Sequence, residues 1–287
     1  VAEVKTVVVD GMALANDLRS RMTQEVAQLT ASGRRAPCLA VVLVGDNPAS
    51  ASYIKGKRRA CARLGMDSVE HTLAADATQA DLLALVDKLN RDAGIDGILV
   101  QLPLPKQIDP SAIAAAIDAD KDVDGVGPLN AGRLVLGLPG LFACTPLGIM
   151  EILALHKIPL EGANALVIGR SMIVGKPISL LLQQKNATVT MCHSRTRDLA
   201  GLCRSADILV AATGAARMVK RDWIKPGAAV IDVGVSEIDG KLVGDVDFEN
   251  VMGVAGIVTP PKGGVGPMTI TMLLHNTLRA YRLRTGA

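Results

Sequence analysis

Ala165-Leu166-Val167-Ile168-Gly169-Arg170-Ser171-Met172-Ile173-Val174-Gly175-Lys176-Pro177 decides the fold. Its opening aliphatic run reads as a buried strand, and the amphipathic stretch over residues 175–185 reads as a helix. A glycine-bearing loop between strand and helix is where a dinucleotide pyrophosphate lies, against free N–H groups at the helix N-terminus. A P-loop would need Gly at 170 and Ser or Thr at 177, where Arg170 and Pro177 stand. A hydrolase elbow would need Gly at 173, where Ile173 stands. A Rossmann-type loop built on Gly169, Arg170, Ser171, Ile173, Gly175 and Lys176 survives, with Ser171 in place of the second fingerprint glycine. A plain tight turn is the alternative for the loop taken alone.

The following strand, residues 187–192, ends Cys192-His193-Ser194-Arg195. An NAD-preferring site usually carries a carboxylate at this place for the ribose 2′-hydroxyl. A hydroxyl and a guanidinium stand here instead, and Arg170 adds a second cation, so a 2′-phosphate would be welcomed. NADP is therefore expected rather than NAD. A solvated loop position is the alternative reading of Arg195.

Outward from the loop, the strand–helix rhythm repeats. Downstream, Asp207-Ile208-Leu209-Val210-Ala211-Ala212 and Ala229-Val230-Ile231-Asp232-Val233-Gly234 read as strands, and residues 145–156 as a helix. Upstream, Leu39-Ala40-Val41-Val42-Leu43-Val44-Gly45 and Ile95-Asp96-Gly97-Ile98-Leu99-Val100-Gln101 are strands. Between them lie a helix over residues 48–64, with Asn47 as N-cap and Gly65 past its end, and one over residues 78–90 with a Thr78/Asp81 capping box. A Gly/Pro-rich stretch, residues 125–140, breaks the rhythm and is taken as the domain connection. The fold class expected is α/β: two lobes, the second a Rossmann-like NADP-binding domain, with a cleft between them. Residues 1–143 with 270–287 form the first lobe and residues 144–269 the second. The last helix, over residues 268–283, returns to the first.

With 287 residues the chain suits two modest domains. A net charge of +3 gives no electrostatic case for nucleic acid or a polybasic membrane anchor. No apolar run reaches the ~18 residues of a membrane span and no charged-then-apolar leader opens the sequence, so no membrane association is expected. The 5 cysteines and 4 histidines are scattered without zinc spacing or a disulfide framework. No metal is expected, and the setting is a reducing, cytoplasmic one.

Tyr53-Ile54-Lys55-Gly56-Lys57-Arg58-Arg59 looks like a basic face. At about 100° per residue, however, Lys57 falls mid-stripe among Tyr53, Ile54, Ala60, Cys61 and Leu64, whereas Lys55, Arg58, Arg59 and Arg63 fall outside. A lysine on an apolar face either snorkels or works; desolvation lowers its pKa and suits it to proton transfer. Gln101 ends a buried strand, where ligands of open α/β sheets bind, and its amide needs a partner. Asp124, in Lys121-Asp122-Val123-Asp124-Gly125, is a third candidate; fixing the turn before Gly125 is its alternative.

Six motifs in order resemble the bifunctional methylenetetrahydrofolate dehydrogenase/cyclohydrolase family over nearly the whole chain. They are the Asn47-Pro48-Ala49-Ser50 stretch through Tyr53 and Lys57, residues 97–105, residues 121–125, Cys144-Thr145-Pro146-Leu147-Gly148, residues 169–177, and Gly263-Gly264-Val265-Gly266-Pro267-Met268-Thr269. The resemblance implies an enzyme that holds a tetrahydrofolate between the lobes. It would oxidise the 5,10-methylene form with NADP and hydrolyse the methenyl product to 10-formyltetrahydrofolate. It implies Tyr53 stacked on the folate, Lys57 as the hydrolytic lysine supported by Gln101, and Asp124, Gly264 and Pro267 at the substrate. Ser194, Thr213 and Gly214 would join the loop at the cofactor, with Arg170 and Ser194 at its 2′-phosphate. The family is commonly dimeric, so a homodimer is implied.

The family usually reads Thr-Pro-Val-Pro before the double glycine, where this chain has Thr259-Pro260-Pro261-Lys262. Two other readings follow: a dehydrogenase with an impaired hydrolase step, and a folate- and NADP-binding sensor without turnover. Tyr53-x-x-x-Lys57 also matches the short-chain dehydrogenase pair, but there the glycine loop precedes the pair, the reverse of the order here.

Overall fold

The computed structural model describes residues 4–46 and 48–286, and of residues 48–53 the backbone alone. The N-terminal half runs β1 (Val7–Val8), α1 (Gly11–Ala31), β2 (Cys38–Val44), α2 (Pro48–Leu64), β3 (Asp67–Leu73), α3 (Gln79–Arg91), β4 (Gly97–Val100), α4 (Pro110–Ala116) and α5 (Pro128–Val135). Then come α6 (Cys144–Leu155), β5 (Asn164–Ile168), α7 (Gly175–Gln183), β6 (Thr188–Cys192), α8 (Leu199–Arg204), β7 (Ile208–Ala211) and β8 (Ala229–Asp232). A hairpin of β9 (Ser236–Ile238) and β10 (Lys241–Val243), then α9 (Phe248–Val251), β11 (Ile257–Val258) and α10 (Val265–Thr285) complete the chain. Asn47, expected to cap α2, lies outside the described residues.

The chain divides into two compact units: Asn16–Cys144 with Ile270–Ala287, and the residues up to Ala15 with Thr145–Thr269. Both are α/β. The first is built on a parallel sheet in the order β3-β2-β4. β2 is central and all seven of its residues are buried, as its unbroken aliphatic run requires. β3 reads Asp-Ser-Val-Glu-His-Thr-Leu, the pattern of an edge strand with one wet face, which hid it from a search for apolar runs. Leu82, Val86 and Leu89 of α3 pack on this sheet with Ile95, Ile98, Ile108 and Ile113.

The Thr78 capping box is present: Thr78 Oγ1 accepts from Asp81 N at 3.2 Å, and the Asp81 carboxylate accepts from Thr78 N at 2.9 Å. We expect Thr78→Ala to destabilise this unit by about 1 kcal/mol, measured as a lower denaturant midpoint at unchanged slope.

The second unit holds a six-stranded, all-parallel sheet in the order β1-β11-β8-β7-β5-β6. One face is covered by an aliphatic core that includes Leu166, Ile168, Leu209, Ala211, Val230 and Val258. The N-terminal segment differs from expectation. Val7 and Val8 pair with Ile257 and Val258, and Thr6 Oγ1 donates to Ala255 O at 2.7 Å, so residues 4–15 go with this sheet rather than with the first lobe. The Gly/Pro-rich stretch is no connection either. Gly127 is extended and Pro128 occupies the first helical turn, which starts α5 inside the first unit. The far part of α10 belongs to the first unit, where Asn276 Nδ2 donates to Val123 O at 2.8 Å and to Phe142 O at 2.9 Å. No helix among the described residues is long and apolar enough to cross a membrane.

Candidate functional site

On α2 the apolar stripe is real: Ile54, Ala60, Cys61 and Leu64 are buried, and Lys55, Arg58, Arg59 and Arg63 are exposed. Lys57 is half-buried on that stripe. The Tyr53 side chain lies outside the described residues. Lys57 Nζ donates to Gln101 Oε1 at 2.8 Å. Gln101 is placed by the strand before it, since its backbone N donates to Val42 O at 2.9 Å. Its Nε2 donates to Leu102 O at 2.7 Å, which fixes the amide so that the oxygen faces the lysine.

Burial pushes the Lys57 ammonium below the usual lysine value; the nearby Asp124 carboxylate and, more weakly, Cys144 oppose this. For Asp124 the signs invert: burial pushes the carboxyl up and Lys57 pulls it down. The turn role considered for Asp124 is performed by Asp122 instead. Its carboxylate accepts from Gly125 N at 3.0 Å, Gly127 N at 2.8 Å and Asn130 Nδ2 at 3.1 Å. Asp124 instead lies in the field of Lys57 and takes a hydrogen bond from the Cys144 thiol. An apolar pocket opens beside it, lined by Val100, Leu102, Leu104, Ile113 and Val126.

In the sequence Cys144 stands out only as part of the Cys144-Thr145-Pro146-Leu147-Gly148 motif. It is buried, its Sγ donates to Val123 O at 3.3 Å, and burial holds its thiol well above the usual value, next to Asp124 and Lys57. Asn276 lies behind it and carried no sequence signal beyond being a polar residue within a hydrophobic helix.

In the other unit, β5 delivers the chain to Gly169 at φ +128°, a conformation favouring glycine; a Cβ there would lie 2.3 Å from Ala212 O. A Cβ on Gly175 would lie 2.2 Å from Gly169 O. The loop is thus closed on itself by two glycines, and Ser171 does the work of a cap. Its Oγ accepts from Val174 N at 3.2 Å and its backbone O from Lys176 N at 3.0 Å. Arg170, Ser171, Ile173 and Lys176 are exposed around it.

Gly169 N donates to Cys192 O at 2.9 Å, so the loop after β5 and the loop after β6 leave the same sheet edge side by side. Ser194 and Arg195 are exposed there, in a turn fixed by His193 N to Thr196 Oγ1 at 2.9 Å. Thr213 and Gly214 follow β7, the strand on the other side of β5. Gly264 has no room for a side chain, since a Cβ would lie 2.3 Å from Pro260 O, and Pro267 sits in the first turn of α10. Pro260, Pro261 and Lys262 line a cavity of about 450 Å³ with Arg217, Asp247 and Phe248. No cluster of three or more His, Cys, Asp or Glu among the described residues is arranged to hold a metal ion.

Residues 9–124 match the model of the tetrahydrofolate dehydrogenase/cyclohydrolase catalytic domain, and residues 143–285 that of its NAD(P)-binding domain. The chain is 54% identical over 286 residues to a bifunctional protein FolD from Sphingopyxis alaskensis, covering 97% of this chain and 95% of that one. It is 56% identical over 280 residues to the FolD of Paraburkholderia phytofirmans, covering 97% and 98%. Among solved structures, FolD of Campylobacter jejuni superposes with a TM-score of 0.95 at 45% identity, covering 97% and 99% of the two chains. The Trypanosoma brucei enzyme, solved with NADP and an inhibitor, superposes with a TM-score of 0.92 at 38% identity, covering 98% and 99%. Family matches over residues 9–124 and 143–285, with relatives more than 50% identical over nearly the whole chain, make this chain a member of the tetrahydrofolate dehydrogenase/cyclohydrolase family.

Proposed function

We propose that the chain oxidises 5,10-methylenetetrahydrofolate to the 5,10-methenyl form with NADP and hydrolyses that product to 10-formyltetrahydrofolate, in one-carbon metabolism. The observation that carries the reading is the Lys57 Nζ to Gln101 Oε1 contact of 2.8 Å beside Asp124. NADP accepts the hydride when bound. The residues at its loop bind and orient it: Gly169 and Gly175 let the backbone close on the pyrophosphate, with Ser171, Ile173 and Lys176 around it. Arg170, Ser194 and Arg195 receive the 2′-phosphate, and Thr213 and Gly214 line the other side.

Hydrolysis adds one water to the methenyl cation and releases one proton, giving the 10-formyl product. The neutral Lys57 amine takes the proton of the attacking water, because burial raises its neutral fraction near pH 7. Gln101 accepts one Lys57 N–H and so directs the nitrogen lone pair. Asp124 balances the lysine when it is charged and binds the pterin. Tyr53 supplies an aromatic face, and Gly264 and Pro267 complete the substrate contacts.

Hydrolysis needs no cofactor, which gives the test. The protein mixed with 5,10-methenyltetrahydrofolate alone is expected to form 10-formyltetrahydrofolate well above the enzyme-free rate. A rate equal to the enzyme-free one would remove the hydrolase and leave a dehydrogenase. For the cofactor, Arg195→Ala or Arg170→Ala is expected to raise the KM for NADP⁺ about 10-fold or more, the value of a charged hydrogen bond. The KM for NAD⁺ should stay within about twofold, as that cofactor offers no 2′-phosphate.

The +3 charge supports a protein without a nucleic-acid partner. Five buried free cysteines suit a reducing, cytoplasmic setting. A homodimer fits the exposed Val235, Ile238 and Leu242 of the hairpin, checked by sedimentation.

A further inference from the structure

Two buried carboxyl groups stand at the C-terminal edge of the six-stranded sheet. Asp232 ends β8 and Asp245 follows β10; they are 3% and 0% exposed. Asp232 accepts from Gly234 N at 3.1 Å and Asp245 N at 2.9 Å through Oδ1, and from Val246 N at 3.0 Å through Oδ2. Asp245 turns toward the loop after β7. Its Oδ2 accepts from Thr213 N at 2.5 Å, Thr213 Oγ1 at 3.0 Å and Gly214 N at 3.1 Å. Its Oδ1 is buried with no donor. The two carboxyls converge on Gly234: one takes its N–H, and a Cβ on that residue would lie 2.1 Å from the Oδ1 of the other.

A buried carboxylate with one oxygen unmatched is costly, and a second acid beside it adds to the cost. Burial and the neighbouring Asp245 push the Asp232 carboxyl up to about 7, against the hydrogen bonds it receives. Strand pairing alone does not call for such an arrangement. The loop it holds explains it. Ala212 N donates to Ile168 O at 2.8 Å, and Ala212 O lies where a Cβ on Gly169 would be 2.3 Å away. The loop fixed by Asp245 is therefore the wall against which the cofactor loop closes.

We propose that Asp245, held in place by Asp232, is a positioning residue for the nicotinamide cofactor: by gathering three donors of Thr213 and Gly214 on one oxygen it sets the wall beside Gly169. This rests on the NADP reading of the Gly169 loop. It predicts that Asp245 acts on cofactor affinity, through the loop, and touches no reacting atom.

The test is Asp245→Ala and Asp245→Asn in the full chain. Binding of NADP⁺ is followed by calorimetry without folate, and amide exchange of Thr213 and Gly214 without any ligand. Asp245→Ala is expected to weaken NADP⁺ binding at least 10-fold and to speed exchange of both amides. KM for NADP⁺ rises while kcat at saturation stays within about threefold. Asp245→Asn recovers most of the affinity, because it keeps an oxygen for the three donors. Unchanged affinity with freed amides would overturn the proposal. So would an affinity loss accompanied by lost protection throughout β7 and β8, which is the mark of a merely structural role. Should Asp245→Ala fail to fold, Thr213→Val, which removes the hydroxyl that donates to Asp245 and accepts from Ala215 N at 3.0 Å, carries the same comparison with a loss of about threefold expected. A wild-type protein that binds NADP⁺ without forming NADPH from the methylene substrate would sink the dehydrogenase reading and not this one. A wild-type protein that binds no NADP⁺ would overturn both.

Discussion

Lys57→Ala is expected to slow hydrolysis of 5,10-methenyltetrahydrofolate by about 10²–10⁴-fold, the usual value of a positioned acid–base group. The enzyme-free rate is subtracted first. Oxidation of the methylene substrate continues, because hydride transfer depends on alignment of the partners and not on a protein base. Methenyl product should therefore accumulate while NADPH rises. The pH profile separates a chemical role from a packing one. The neutral amine is the active form and burial lowers its pKa, so wild-type hydrolysis rises with pH through a midpoint below the ordinary lysine value. The variant lacks that limb. Hydrolysis in the variant within a few-fold of wild type would remove Lys57 from the mechanism.

The second large effect falls on the other unit. Gly169→Ala places a Cβ 2.3 Å from a backbone oxygen, at a φ of +128° that side chains rarely adopt. Neither conflict is relieved by rotating a side chain, since the obstacle is the Ala212 carbonyl. The loop must move, and we expect NADP⁺ affinity to fall by more than 10-fold with a stability loss of about 2–4 kcal/mol. Cofactor-free hydrolysis, measured below the variant's melting range, reports whether the first unit has survived. Wild-type affinity in this variant would mean that the cofactor does not rest on the Gly169 loop.

Both residues were legible in the sequence, for different reasons. Lys57 stood out because helical periodicity separates faces, and the burial of Ile54, Ala60, Cys61 and Leu64 follows the wheel. Gly169 stood out because a buried run ending in glycine before a helix has few uses. Asp122 and Asp124 were not separable: two carboxylates two residues apart offer the same turn chemistry, and only the amides of Gly125 and Gly127 decide between them. Asp232 lies within the run over residues 229–234 that reads as a strand, and its partner Asp245 is 13 residues away behind a hairpin. No periodicity links such a pair.

Among the strands without a sequence signal, β1, β3 and β11 share one property. β1 and β11 are each two residues long, and β3 is polar on one face. Their place is set by tertiary pairing and not by a local pattern. That is why residues 4–15, with a short valine run, were assigned to the wrong sheet. The stretch over residues 125–140 misled in the opposite way, since glycine and proline there start a helix and do not mark a linker.

The central claim is that one chain carries both reactions in sequence, and a single time course tests it. The purified wild-type protein is mixed with 5,10-methylenetetrahydrofolate and NADP⁺, with NAD⁺ in parallel, and the spectrum is followed. The account predicts NADPH and 10-formyltetrahydrofolate rising together with little methenyl intermediate, and a slower reaction with NAD⁺. Absence of reduced cofactor with either dinucleotide, or methenyl product building up in step with NADPH, would contradict it.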